Sequence, residues 1–94
     1  MSLPHNPALV SIRGRVQGVG FRYWAEDQAL ALGLRGWVRN EADGSVTALI
    51  AGPDDAVARM IDLFRTGPQS AAVTSVTSQP AHAEGLPAGF RQIR

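Results

Sequence analysis

Apolar and polar residues alternate along two stretches of the chain, and a period of two predicts β-strands. In the first stretch, Val10 and Ile12 share one face, while Ser11 and Arg13 share the other. Three further segments are predicted as strands from their composition and from the turn residues that bound them, with an Asp-Gly pair typical of a β-hairpin before the third strand. The five predicted strands cover residues 8–15, 36–40, 45–51, 71–78 and 90–94.

Two other stretches repeat their apolar residues at helical spacing. The first helix is predicted over residues 21–32, and Gly33 after it is suited to the left-handed conformation that ends many helices. The second helix is predicted to begin at Asp54 and to stop before Gly67. The two apolar stripes consist of Phe21, Ala25, Ala29 and Leu32, and of Val57, Met60, Ile61 and Phe64.

The order of these elements predicts the fold class. A β-α-β-β-α-β order with an additional C-terminal strand favours an α+β ferredoxin-like sandwich, in which both helices cover one face of a largely antiparallel sheet. Residues 8–94 are predicted to form one domain. Residues 1–7, with two prolines, are predicted to be a loose, disordered tail.

Composition narrows the function classes. The formal net charge of +1 implies no broad attraction to nucleic acid or membrane, and the absence of cysteine removes disulfide and thiolate chemistry. His5 and His82 lie far apart with no ligand cluster around them, so neither a metal nor another cofactor is expected. The N-terminus lacks the pattern of a secretory signal, and no apolar run approaches the length of a membrane span, so we expect a cytoplasmic protein.

A glycine-rich segment with Gly14, Gly18 and Gly20 lies between the first predicted strand and the first helix. Such a turn exposes backbone N–H groups at the positive end of a helix, which is a natural anion site. Arg22 in the first helical turn presents a guanidinium that suits phosphate or carboxylate. The residues alone leave a second interpretation open, namely a plain strand-to-helix turn with a surface arginine.

Asn40 ends the second predicted strand, which runs parallel to the first if both flank the third. Its side chain would then face the glycine-rich loop. An asparagine amide can orient a water molecule without removing a proton. From the residues alone, a role only in starting the turn is the favoured interpretation.

Two stretches together, IRGRVQGVGFR and GWVRNEADGSVTALIAG, resemble the paired signature of the acylphosphatases in residue type, order and spacing. The resemblance covers about residues 8–94. It implies a monomeric enzyme that hydrolyses the carboxyl–phosphate bond of a small acyl phosphate, with inorganic phosphate as product and competitor. It also implies a phosphate-binding loop, a phosphate-clamping arginine and a water-positioning asparagine. These correspond to Arg15, Val16, Gln17, Gly18, Val19 and Gly20, to Arg22, and to Asn40.

Two positions depart from the family pattern. Glu41 stands where many members carry a hydroxyl residue, and its charge should point away from an anionic substrate. Ala72 stands where many members carry a basic residue. Both departures bear on affinity and substrate preference more than on the reaction.

Two alternatives remain. An RNA-recognition module shares this element order, but the third predicted strand lacks the aromatic residues that stack on bases. A non-catalytic anion-binding or docking module of the same fold is the second alternative.

Overall fold

The computed structural model describes residues 6–82 and 84–94, which form a five-stranded sheet and two helices. The strands are β1 (Ala8–Arg15), β2 (Arg35–Asn40), β3 (Val46–Ala51), β4 (Ala72–Pro80) and β5 (Phe90–Ile93). The helices are α1 (Phe21–Ala31) and α2 (Asp54–Thr66). The strand order is β4-β1-β3-β2-β5; β2 and β5 are parallel, and the other neighbours are antiparallel. The predicted ferredoxin-like α+β architecture is confirmed.

The core lies between the helices and the face of the sheet that carries the even-numbered residues of the three central strands. Val10, Val38 and Ile50 on this face are fully buried. The apolar stripes of both helices pack onto this face, and the buried core includes Ala25 of α1 and Met60 of α2. The opposite face carries odd-numbered side chains such as those of Ser11, Trp37 and Thr47, and neither helix of residues 6–82 and 84–94 covers it.

The first helix ends almost as predicted. α1 stops at Ala31, one residue before the predicted end, and Leu32 forms its C-cap. Gly33 adopts φ 71°, and the amide of Leu34 donates to the carbonyl of Ala29 at 2.9 Å. This is the Schellman arrangement, in which a left-handed residue lets the chain satisfy the last carbonyls of a helix.

The fourth strand runs two residues beyond its predicted end at Ser78. It reaches Pro80, which pairs with Ala8. A proline lacks the N–H that a central strand needs, but β4 is an edge strand and tolerates one.

The predicted loose tail covers residues 1–7, of which residues 1–5 lie outside the described residues. Its last two residues contact the domain. The side-chain amide of Asn6 bonds to the carbonyl of Gly52 and, at 3.1 Å, to the carboxylate of Asp54. The carbonyl of Pro7 accepts from the amide of Ala81 at 2.8 Å. Residues 6 and 7 are therefore attached to the fold, and the prediction of a tail does not hold for them.

Neither helix in the described part of the chain combines the length and the apolar character that a bilayer span requires.

Candidate active site

Residues 16–20 form the loop between β1 and α1, and buried side chains hold both of its ends. Val16 is 1% exposed and Phe21 is 2% exposed. The ring of Phe21 stacks on Phe64 of α2 at 6.0 Å between centroids and lies 5.2 Å from Trp24. Each such aromatic pair contributes about 1 kcal/mol beyond its buried area. The loop is therefore anchored to both helices while its middle remains exposed.

The backbone of this loop presents N–H groups to solvent. Gly18 and Gly20 take φ values of 73° and 77°, a left-handed conformation that residues with a Cβ rarely adopt. Among residues 6–82 and 84–94, the amides of residues 17–20 find no protein acceptor. Gly20 is the N-cap of α1, and the first turn of that helix contains no acidic residue. Unpaired donors and the positive end of the helix dipole thus lie together, an arrangement that favours an anion.

Two side chains fix the loop from opposite sides. The side-chain Nε2 of Gln17 donates to the carbonyls of Glu41 and Ser45, both at 2.8 Å. On the other side, the hydroxyl of Ser70 donates to the carbonyl of Val19 at 2.9 Å. The loop is therefore held against the β2–β3 hairpin, directly after Asn40.

Asn40 is brought to the same edge of the sheet by strand pairing. It pairs with Val46 of β3, and Val46 pairs on its other side with Ile12 of β1. Because β1 and β2 both run antiparallel to β3, their C-terminal ends lie at the same edge of the sheet. This is the edge where strands end, not a side formed by an edge strand. Strand alternation puts half-buried Asn40 on the face of buried Val38, which is the face that α1 covers.

Arg22, in the first turn of α1, reaches this edge from the helix. Its Nη1 donates to the carbonyl of Ile93 at 3.2 Å. Ile93 lies in register with Arg39, the neighbour of Asn40. The guanidinium is therefore held near the ends of β2 and β5, and among residues 6–82 and 84–94 its other N–H groups have no acceptor.

Glu41, the first departure from the family pattern, is paired with its neighbour Arg39. The Nε of Arg39 donates to its carboxylate at 2.8 Å, and the same guanidinium lies 4.7 Å above the ring of Trp37. The hydroxyl of Thr47 and then this guanidinium hold the pKa of Glu41 below its ordinary value of 4.5. The carboxylate is thus ionised but directed to side chains of the open sheet face. Ala72, the second departure, lies in β4 opposite Arg15.

The structure brings the predicted loop, Arg22 and Asn40 together at one edge. The backbone pattern did not indicate the side-chain contacts of Gln17, which cross 24 and 28 residues, or the acceptor of Arg22, which lies 71 residues away. Over residues 6–82 and 84–94, no group of three or more histidine, cysteine or acidic side chains is arranged to hold a metal ion. His5 lies outside those ranges, and His82 is exposed.

Comparisons with known proteins show the family to which the chain belongs. The acylphosphatase family model matches residues 8–92. An acylphosphatase of Rhizobium meliloti (strain 1021) is 58% identical over 94 residues, which cover 100% of this chain and 99% of that protein.

Solved structures are similar as well. The structure of an acylphosphatase from Coxiella burnetii superimposes with a TM-score of 0.86 at 32% identity, covering 92% of this chain and 90% of that one. The crystal structure of acylphosphatase from Bacillus subtilis gives 0.81 at 36% identity, covering 93% and 97%. These full-length matches to proteins named as the enzyme favour it over a non-catalytic module. The chain therefore belongs to the acylphosphatase family, whose members hydrolyse the carboxyl–phosphate bond of acyl phosphates.

Proposed function

We propose that this acylphosphatase binds the phosphoryl group of its substrate on the 15–20 loop and Arg22, while Asn40 aligns the attacking water. The loop supplies backbone amides from Arg15, Val16, Gln17, Gly18, Val19 and Gly20. The observation that carries the proposal is the convergence at one sheet edge of unpaired loop amides, the Arg22 guanidinium and the end of β2.

The chemistry needs few reactive groups. The leaving group is a carboxylate, and since carboxyl groups titrate near ~4, it departs at neutral pH without a general acid. Phosphoryl transfer passes through a loose transition state, in which positioning and charge stabilisation supply most of the catalysis. Loop amides and the guanidinium match the negative charge on the phosphoryl oxygens.

The attacking water is handled by a neutral side chain. The carbonyl oxygen of the Asn40 amide accepts a hydrogen bond from the water and directs its lone pair in line with the departing carboxylate. The bond from water oxygen to phosphorus forms as the bond to the acyl oxygen breaks. The water's proton passes to a phosphoryl oxygen of the substrate, so the protein needs no titrating base.

The proposal extends to substrate and assembly. The substrate is a small acyl phosphate, and inorganic phosphate competes because it occupies the same donors. The proposed assembly is a monomer, as the family resemblance implies. The cytoplasmic location stays a prediction from the sequence.

Hydrolysis of benzoyl phosphate in the presence of EDTA, with inorganic phosphate as competitor, tests the proposal as a whole. We expect turnover unaffected by the chelator and competitive inhibition by phosphate. Turnover that requires an added metal ion would contradict the metal-free mechanism, and binding of phosphate without turnover would favour the non-catalytic module.

Arg22→Ala should have the largest effect, because it removes the one side-chain cation proposed to hold the phosphoryl group. We expect turnover to fall by about 10³-fold and competition by phosphate to disappear. Arg35→Ala is the matched control, since Arg35 also donates from its guanidinium to a carbonyl, that of Pro87, but lies at the far end of β2. Equal losses in the two variants would contradict a role for Arg22 in binding.

Asn40→Ala should separate binding from turnover. We expect kcat to fall by about 10²-fold, as for loss of one aimed polar group, while the Ki of phosphate changes by less than about threefold. A variant that keeps its kcat, or that loses phosphate binding in proportion to kcat, would remove Asn40 from its proposed role.

A further inference from the structure

The side chain of Gln17 connects two parts of the site that the backbone leaves separate. It belongs to the loop, but its Nε2 donates to the carbonyls of Glu41 and Ser45 in the β2–β3 hairpin, both at 2.8 Å. The contact is partly buried, so water competes with it less than at an exposed position. The loop and the residue after Asn40 are therefore linked by one side chain.

Each of these two carbonyls accepts one hydrogen bond within the hairpin and has a second lone pair left for Gln17. The carbonyl of Ser45 already accepts from the amide of Glu41 at 2.8 Å, and the carbonyl of Glu41 accepts from the amide of Gly44 at 3.2 Å. A carbonyl oxygen can accept a second hydrogen bond, and the primary amide of Gln17 has an N–H group for each. The arrangement suits an amide and disfavours a carboxylate, whose lone pairs would face those of the carbonyls.

We propose that Gln17 is a positioning residue, whose side-chain amide fixes the spacing between the phosphate-holding loop and Asn40. This inference rests on the proposed function, because it assigns Gln17 an effect that acts through Asn40. In-line attack requires the water and the phosphorus at a defined separation, and a displacement of about 1 Å can cost about 10²-fold in rate. Without the link, the loop still binds phosphate, but the water held by Asn40 is no longer aligned with it.

Ser70 provides the matched control. Its hydroxyl also tethers the loop, at the carbonyl of Val19, but it comes from the segment between α2 and β4, and within residues 6–82 and 84–94 it forms no hydrogen bond to the hairpin. Ser70→Ala therefore loosens the loop without removing its link to Asn40. We expect Ser70→Ala to change kcat by the same factor in the parent and in the Asn40→Ala background, because its effect does not act through Asn40.

The decisive experiment is a double-mutant cycle with Gln17→Met and Asn40→Ala, measured as kcat for benzoyl phosphate and Ki for inorganic phosphate. Methionine keeps the length of the side chain and removes both donors. We expect Gln17→Met alone to lower kcat by about 10- to 100-fold with Ki changed by less than about threefold. In the Asn40→Ala background, the same change should lower kcat by less than about twofold. Equal losses in both backgrounds, or a parallel rise of Ki, would overturn the inference.

A pH profile of Gln17→Glu gives an independent readout that also applies if Gln17→Met fails to fold. At neutral pH the carboxylate repels both carbonyls, and kcat should fall at least as far as in Gln17→Met. On acidification the protonated acid donates one hydrogen bond, so kcat should recover towards the parent value. A flat profile would overturn the inference. The proposed function fails separately, if Asn40→Ala alone retains its kcat.

Discussion

Two strands of this sheet lead directly into helices, and the two junctions differ in length, conformation and charge. Between β1 and α1 lie residues 16–20, with a left-handed Gly20 as N-cap and no acid in the first helical turn. Between β3 and α2 lie Gly52 and Pro53 alone, and Asp54 and Asp55 open the helix. Both helices begin at the end of a core strand, but of these two helices only the first has no acidic residue at its positive end.

The charges at the second junction are used within the protein. The carboxylate of Asp55 accepts from the amide of Ala56 at 3.0 Å, and that of Asp54 accepts from the side chain of Asn6 at 3.1 Å. These acids stabilise the N-terminus of α2 and repel other anions. A helix N-terminus is therefore suited to an external anion when its first turn contains no acidic residue and the preceding loop exposes backbone amides.

Placing an acidic residue in the first junction should make it resemble the second and weaken phosphate binding there. In Gly18→Asp, a carboxylate competes with phosphate for the loop amides, and repulsion of ~3 kcal/mol should weaken phosphate binding by about 10²-fold. Gly18→Asn is the control, because asparagine has the same size and a similar tolerance of positive φ without the charge. The ratio of the two Ki values measures the charge effect, and it should shrink as salt is added. Equal Ki values would mean that the anion lies elsewhere.

Removing the acids from the second junction should have a smaller effect, and on stability alone. In the double variant Asp54→Asn, Asp55→Asn, the side-chain oxygens remain as acceptors but the charges are lost. The free energy of unfolding should fall by about 1 kcal/mol, while kcat and the Ki of phosphate stay unchanged. Asp62→Asn, in the later part of α2, should not destabilise the protein. A change in Ki would show that α2 also acts on the site.

The smallest effect is expected at acid pH, in the hairpin beside the first junction. The hydroxyl and then the amide of Ser45 donate to Asp43, at 2.6 and 2.9 Å, and lower the pKa of this carboxyl from its ordinary value of 3.8. Because the pKa is lower in the folded state, the stabilisation is present above about pH 3.8 and is lost as the pH falls below it.

In denaturant titrations from neutral to acid pH, Asp43→Asn should therefore lose less stability than the parent protein over this range. If the two proteins lose stability in parallel, this carboxyl does not contribute to the acid sensitivity of the fold.

The sequence predicted most of the fold because its local signals agreed with the tertiary structure. The stripe through Val57, Met60 and Phe64 is buried as expected, although Ile61 is only partly buried. The hairpin that the Asp-Gly pair indicated is present, but the length of its loop was not predicted. Ala42 to Gly44 form a three-residue loop, closed by the Glu41 amide and the Ser45 carbonyl. An Asp-Gly pair is compatible with several loop lengths, so strand register had to come from the paired strands.

The site could be predicted only in its backbone pattern and, through the family resemblance, in the roles of Arg22 and Asn40. The contact of Gln17 with Glu41 and the bond from Arg22 to Ile93 depend on strands that meet after folding, and neither partner carries a local signal. The pairing of Glu41 with Arg39 follows from strand geometry, in which residues two apart share a face. The side chains of the candidate site could therefore be named from the sequence, but their hydrogen-bond partners depend on how the strands pair.

The acceptor of Arg22 belongs to β5, a strand of four residues at the outer edge of the sheet beside β2. Short edge strands open more easily than central ones. Transient detachment of β5 would remove the carbonyl that positions the Arg22 guanidinium. By the proposed mechanism this would inactivate the enzyme while β1, β3 and the helices stay in place. The proposed role of Arg22 thus depends on a short edge strand, and by this proposal activity could be lost without loss of the fold.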